Sequence, residues 1–223
     1  NYAAETFLSD ILTHLEITSS ASIQSAIKVL ANWDRKNNSD SCGALLFHLF
    51  WNKVVQLNIL SMPSSGDPEL GTQLDLNTES IEKIQKALDE SVTELQQLGF
   101  ELDTAWGHVL CKTENDETIP LHGGSYLEGV LNGEMPAPLE KSGFPYILFG
   151  TAYIQLSRWE KGEIIVEGLL SHGQRDGVIS EGRTRQLKMF SNKTLGVIPF
   201  LPHQLKSYKQ YGLLTLYPAK ANH

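Results

Sequence analysis

The sequence predicts an α+β fold, helical in its first half and built from antiparallel strands with short helices in its second. Three observations predict it. Apolar residues recur at intervals of three and four residues as far as Leu98. After Trp106 the pattern changes to extended segments separated by turn residues. No internal repeat or low-complexity stretch interrupts this order, so helices come first and strands follow. The expected organisation is a mainly helical region over residues 1–105 and an antiparallel β region over 106–223, with one or two short helices.

In the first region, Ser22 is placed to cap a helix whose apolar face is Ile23, Ala26, Ile27 and Leu30. Trp33-Asp34 and a polar loop from Arg35 to Ser41 follow. A second helix from Gly43 or Ala44 to about Asn58 carries Leu45, Leu46, Leu49, Phe50 and Val54. That stripe is too broad for a surface helix, so it should be mostly buried. Residues Ser61 to Leu76, rich in Ser, Pro, Gly and Asp, read as a linker or surface loop. The clearest helix is the next one. Asn77 or Thr78 caps it, Ile81, Ile84, Leu88, Val92, Leu95 and Leu98 form its face, and Gly99 stands at its left-handed end.

In the second region, Trp106–Lys112 and Thr118–Leu121 read as a hairpin around Glu114-Asn115-Asp116-Glu117. His122-Gly123-Gly124 opens a flexible loop past Pro136, Pro138 and Pro145. A longer hairpin pairs Thr151–Trp159 with Glu163–Leu170, turning at Glu160-Lys161-Gly162. Its strands are apolar on both faces, so it should be central in its sheet. A helix over Arg183–Ser191 and a strand over Leu213–Tyr217 close the chain.

Composition excludes several classes. The 223 residues are 41% hydrophobic and 20% charged, ordinary for a globular protein with a packed core. A net charge of −8 argues against a phosphate-tracking surface, and Arg183–Lys188 is the solvated face of a short helix, so no nucleic-acid partner is expected. No run of 18 apolar residues exists, so no membrane span is expected, and Asn1–Glu5 does not resemble a signal peptide. Cys42 and Cys111 fit no zinc spacing. Two unpaired, buried thiols are the leading reading, with a disulfide as the alternative in an oxidising compartment. Nothing beside either cysteine suggests a catalytic thiol.

Candidate chemistry is sparse. His122 before two glycines can be read as a catalytic histidine in a mobile loop, but the glycines more simply allow positive φ and a close backbone approach, with His122 bonding a neighbouring carbonyl. Ser125 lacks the G-x-S-x-G elbow of a serine hydrolase. His108 and His122 lack a third metal ligand. Trp33, Trp51, Trp106 and Trp159 are too dispersed for a ligand box and should be core.

Several patches, in order along most of the chain, resemble the penicillin amidase family. They are Trp33-Asp34 with Asp40–Phe47 and Phe50-Trp51, then Trp106–Val109 with Ile119–Gly124 and Gly129–Asn132. Gly150–Leu156, Leu169–Gln174, Phe190–Lys193 and Ile198–Phe200 continue the series. The acylhomoserine-lactone acylase and aculeacin A acylase branch is the most similar, through Ala152–Gln155 and Ile198–Phe200. One segment departs from the pattern: Arg175–Gly182 stands where the family has Ser-Asp-Pro and Ser-Pro-His-Tyr.

The resemblance implies the C-terminal part of the β-subunit of an N-terminal nucleophile hydrolase, within an αββα fold. Such enzymes mature from a self-cleaving precursor, and a serine at the start of the β-subunit attacks with its own α-amine as base. That machinery lies upstream of the region resembled, and Asn1 has no hydroxyl or thiol to replace it. No residue is therefore assigned a catalytic, cofactor-binding or metal role. The implied function is a scaffold portion of an acylase cleaving amide bonds of acylhomoserine-lactone, penicillin or lipopeptide type. Its implied partner is the upstream part of the precursor (α-subunit and N-terminal β-subunit region), with self-association if isolated and a periplasmic or secreted location. The alternatives are a stand-alone binding module and an independent hydrolase using His122 and Ser125.

Overall fold

Asn1 caps the first helix, α1 (Tyr2–Leu15), its side-chain oxygen accepting the Ala4 amide at 3.1 Å. In this computed structural model, which describes residues 1–15, 21–61, 72–114, 116–172 and 181–206, α1 is an element the sequence reading did not place. Its signal was present: Phe7, Leu8, Ile11, Leu12 and Leu15 recur at helical spacing and are all buried.

Three more helices complete this layer: α2 (Ala21–Asn32), α3 (Ala44–Gln56) and α4 (Thr78–Leu98). Helix α2 begins before Ser22, which is therefore not the cap. Every residue of α3 from Ala44 to Trp51 is buried, as its broad apolar stripe predicts. Gly43 precedes it at φ 132°, and a Cβ there would lie 2.7 Å from Trp33 Cβ, so the tryptophan packs onto bare backbone. Trp33, Phe47, Trp51 and Phe7 then pack in series, the first pair tilted and the other two stacked, with centroids 5.1, 5.8 and 5.5 Å apart. Helix α4 lies across α1, α2 and α3 through Ile84, Leu88, Val92 and Leu95. Its ends match the expectation: Asn77 accepts the Ser80 amide at 2.9 Å, and Gly99 is left-handed at φ 88°.

The linker reading is corrected at its margins, where β1 (Leu60–Ser61) and β2 (Gln73–Leu74) pair antiparallel. Residues 62–71 lie outside the described set, as do the expected strand Leu213–Tyr217 and residues 173–180 of the departing segment.

The first expected hairpin is half right. Trp106–Val109 is not extended but a helical turn, α5, and only β3 (Cys111–Glu114) and β4 (Glu117–Pro120) pair. Tertiary contacts override the β preference of Trp and Val. The Trp106 amide donates to Ser41 O, and Gly107 packs against Ser39 and Pro120 with no room for a Cβ. The expected flexible loop also contains an antiparallel pair, β5 (Glu134–Pro136) with β6 (Ile147–Gly150).

The long hairpin is β7 (Tyr153–Glu160) and β8 (Glu163–Leu170), and its two-residue turn holds Lys161 and Gly162 both at positive φ. Its strand β8 is the middle of the order β7-β8-β9, where β9 is Gly196–Val197, and β7 is the edge among the described strands. Helix α6 (Glu181–Ser191) covers part of β8, and Leu169 meets the core that holds Leu187 and Phe190. No described element covers the outward residues, so Tyr153, Leu156 and Trp159 stand exposed. Trp159, 72% exposed, corrects the expectation that all four tryptophans are core. A short helix, α7 (Pro202–Leu205), ends the described chain.

Candidate functional site

The glycine loop is held by backbone pairings that leave no space for side chains. The Gly123 amide donates to Asn37 O at 2.9 Å, the Gly124 amide to Asn132 O at 3.1 Å, and Trp106 Nε1 to Gly123 O at 2.8 Å. Gly123 has φ 104°, and a Cβ on it would meet Asn132 O at 2.5 Å; one on Gly124 would meet Asn37 Nδ2 at 2.7 Å. His-Gly-Gly is thus a device for close backbone approach, as its composition predicts.

His122 bonds a neighbouring carbonyl, also as expected. Its Nε2–H donates to Phe190 O at 2.8 Å, and Nδ1 accepts from Asn132 Nδ2 at 3.1 Å, which fixes the neutral tautomer. The ring stacks on Phe190 at 4.5 Å. Burial pulls its pKa down, the Phe190 carbonyl opposes that, and the Lys193 charge adds to it. Both nitrogens are committed, so the ring has no free position from which to act as a base.

Ser125 is equally committed. It is fully buried, its Oγ accepts the Leu127 amide at 3.1 Å and faces Met135 Sδ at 3.4 Å, and it caps the single 3-10 turn Tyr126–Glu128. His108 packs edge-on against Phe100, away from the Phe190 and Asn132 contacts of His122. No group of three metal-ligating residues forms among the described residues. Both cysteines are free, which removes the disulfide alternative. The expectation of buried thiols is corrected: Cys42 is exposed and Cys111 half-buried, its partial burial raising the thiol pKa.

The 3-10 turn delivers a group that sequence reasoning missed. Glu128 is fully buried and accepts from Asn1 Nδ2 at 2.8 Å, Asn37 Nδ2 at 3.1 Å and His48 Nδ1 at 2.5 Å. His48 Nε2 in turn accepts from Asn52 Nδ2 at 3.1 Å, and the ring is flanked by Trp106 and Phe144. The sequence showed His48 only as an interruption of an apolar run; its spacing of four from Asn52 was the available signal.

A second missed carboxyl is Glu134 on β5. It is fully buried, and among the described residues neither oxygen has a hydrogen-bond partner. Burial pushes its pKa up to about 7, with the Thr151 backbone opposing.

The comparisons with known proteins bear on all of this. The penicillin amidase family model matches residues 1–207. The chain belongs to the penicillin amidase family. It is 26% identical over 221 residues to the acyl-homoserine lactone acylase PvdQ of Pseudomonas fluorescens (strain Pf0-1), covering 96% of this chain and 28% of that relative. It is 27% identical over 217 residues to PvdQ of Pseudomonas putida, covering 94% and 27%. The chain therefore spans little more than a quarter of the relatives' length. Among solved structures, the thermostable penicillin G acylase of Alcaligenes faecalis matches with a TM-score of 0.45 and 13% identity, over 98% of this chain and 46% of that one.

Proposed function

We propose that this penicillin amidase segment is a scaffold within an acylase that cleaves the amide bond of acylated small molecules, of acylhomoserine-lactone, penicillin or lipopeptide type. The nucleophilic serine and its oxyanion donors belong to an upstream part of the same precursor, within an αββα arrangement. The observation that carries this reading is the commitment of His122, Ser125 and the His48–Glu128 pair to bonds inside the fold. Groups spent on holding the backbone are not available to move a substrate proton.

The uncovered faces support the same reading. Leu148, Phe149, Tyr153, Leu156 and Trp159 are large exposed residues on β6 and β7, and β7 is an edge strand among the described residues, which favours association. In the isolated chain that surface pairs with another copy; in the precursor the upstream region covers it. A periplasmic or secreted location is part of this proposal and rests on the family alone. No helix among the described residues is long and apolar enough to cross a membrane.

The test is an assay of the purified chain against short and long acyl substrates, alone and mixed with the separately made upstream region. Turnover only on mixing, and only when the upstream region begins with its serine, is the expected result. Turnover by the chain alone, lost in Ser125→Ala or His122→Ala, overturns it in favour of an independent hydrolase. No turnover in either arm favours a binding module.

A further inference from the structure

Glu134 has no part in the hydrogen-bond network around Glu128, and among the described residues neither of its oxygens has a hydrogen-bond partner. Strand β5 pairs Glu134 with Gly150 on β6. A Cβ on Gly150 would lie 2.5 Å from Glu134 Oε2, and one on Gly123 would lie 2.9 Å from Glu134 Cγ. The carboxyl therefore occupies the room that two missing side chains leave, pressed between the glycine loop and β6. Glu134 N donates to Gly124 O at 2.8 Å, and the Thr151 amide, which lies close enough to the carboxyl to favour its anion somewhat, is bonded to Gly133 O at 2.9 Å.

Among the described residues, the titratable groups on the surrounding elements have these contacts. His122 is turned to Phe190 and Asn132, and Glu128 is spent on Asn1, Asn37 and His48. His172, after β8, stands toward the Phe190 ring at 6.2 Å. Lys193, the cation beside His122, bonds Asn38. Two cavities flank the position, one lined by Phe149, Gly150 and His172 and the other by His122, Asn132 and Thr151, and neither reaches the carboxyl. The ligand small enough to reach those oxygens without moving backbone is a proton.

We propose that Glu134 is a proton-operated latch, whose neutral carboxyl lets the glycine loop close onto the β5–β6 pair and whose ionisation favours opening at Gly124, Gly133 and Thr151. The neutral acid fits a buried site where the Thr151 backbone offsets burial only in part; the anion fits it poorly and gains by exposure to water. In the closed form the carboxyl titrates near 7, whereas an exposed glutamate titrates near its ordinary 4.5. Opening therefore grows about tenfold per pH unit between those two values and levels off above the higher one. Below the lower value both forms are protonated and pH has no effect on the latch.

Hydrogen exchange on the whole chain, corrected for intrinsic exchange chemistry, reads this directly. Protection of the Gly124, Glu134 and Thr151 amides should fall about tenfold per unit from pH 5 to 7 and then stay level. In Glu134→Gln, which cannot ionise, the same amides should show no such slope. A flat profile in the wild type, or an unchanged slope in Glu134→Gln, overturns the latch. If the variant does not fold, a carbon-13 carboxyl titration of the wild type decides. A Glu134 midpoint near 7 supports the proposal, and one in the ordinary carboxylate range sinks it.

Discussion

His48 Nδ1 donates to Glu128 Oε1 at 2.5 Å, and this bond joins the middle of the most buried helix to the 3-10 turn that ends the glycine loop. Asn1 and Asn37 donate to the other carboxylate oxygen. Truncating Glu128 leaves two buried donors, on Asn37 and His48, without this acceptor, while half-buried Asn1 keeps a bond from Nδ2 to Asn37 Oδ1 at 2.9 Å; truncating one donor leaves the other two in place.

Glu128→Ala is accordingly expected to cost about 2–6 kcal/mol, about 1–3 for each of the two buried donors left unsatisfied. Asn37→Ala should cost clearly less, about 1–3 kcal/mol. Urea unfolding of the two variants checks the order, and equal costs would show that Glu128 is not the shared acceptor.

Leu88 on α4 is fully buried against the other helices. Leu88→Ala should cost about 2–5 kcal/mol through lost transfer energy and a residual cavity. A cost below about 0.5 kcal/mol would mean that α4 does not pack as described.

Gly43 combines a φ of 132° with a Cβ position 2.7 Å from Trp33 Cβ. Gly43→Ala therefore meets backbone strain and a clash together, and should cost at least about 2 kcal/mol. Trp33 must shift to admit the methyl group, so near-ultraviolet circular dichroism of the folded variant should change as well.

His122 supplies the pH dependence opposite to that of Glu134. Its folded pKa is held below the ordinary 6.5 by burial. It thus contributes stability that is present above 6.5 and lost as pH falls through the folded value. Between about pH 7.5 and pH 5.5, wild type should lose more stability than His122→Gln. Denaturant midpoints at the two pH values test it, and parallel shifts in both proteins would assign the dependence to other groups.

Legibility in the sequence followed the range of the determining interaction. Helix α4 could be read to its caps because Asn77, Gly99 and the Ile84–Leu95 face are all local signals. The Lys161-Gly162 turn was legible for the same reason. Strands β5 and β6 were not, since Glu134 and Gly150 pair across a proline-containing stretch that composition reads as loop. Trp106–Val109 was read as extended because its residue types favour strands, while Ser41 O and Pro120, distant in sequence, decide its conformation. The exposure of Trp159 was hidden because an apolar strand pattern reports the need for a cover without reporting whether one is there. At the site, the role of the two glycines and the His122–carbonyl bond were legible. Glu128 and Glu134 were not, for nothing in the local pattern distinguishes a buried carboxylate from a solvated one.

The bonds to Glu128 come from residues 127, 91 and 80 positions away, donated by Asn1, Asn37 and His48. Closing loops of that length costs entropy before any of the three bonds repays it, so the hub is a late event in folding. Helices α3 and α4 can form and pack while Glu128 is still in water. Substitutions at Glu128 should then quicken unfolding and leave the folding rate almost unchanged, whereas those at Leu88 should act on both. The carboxylate serves as a clasp fastened at the end, and the time the chain stays folded is set there more than in its helical core.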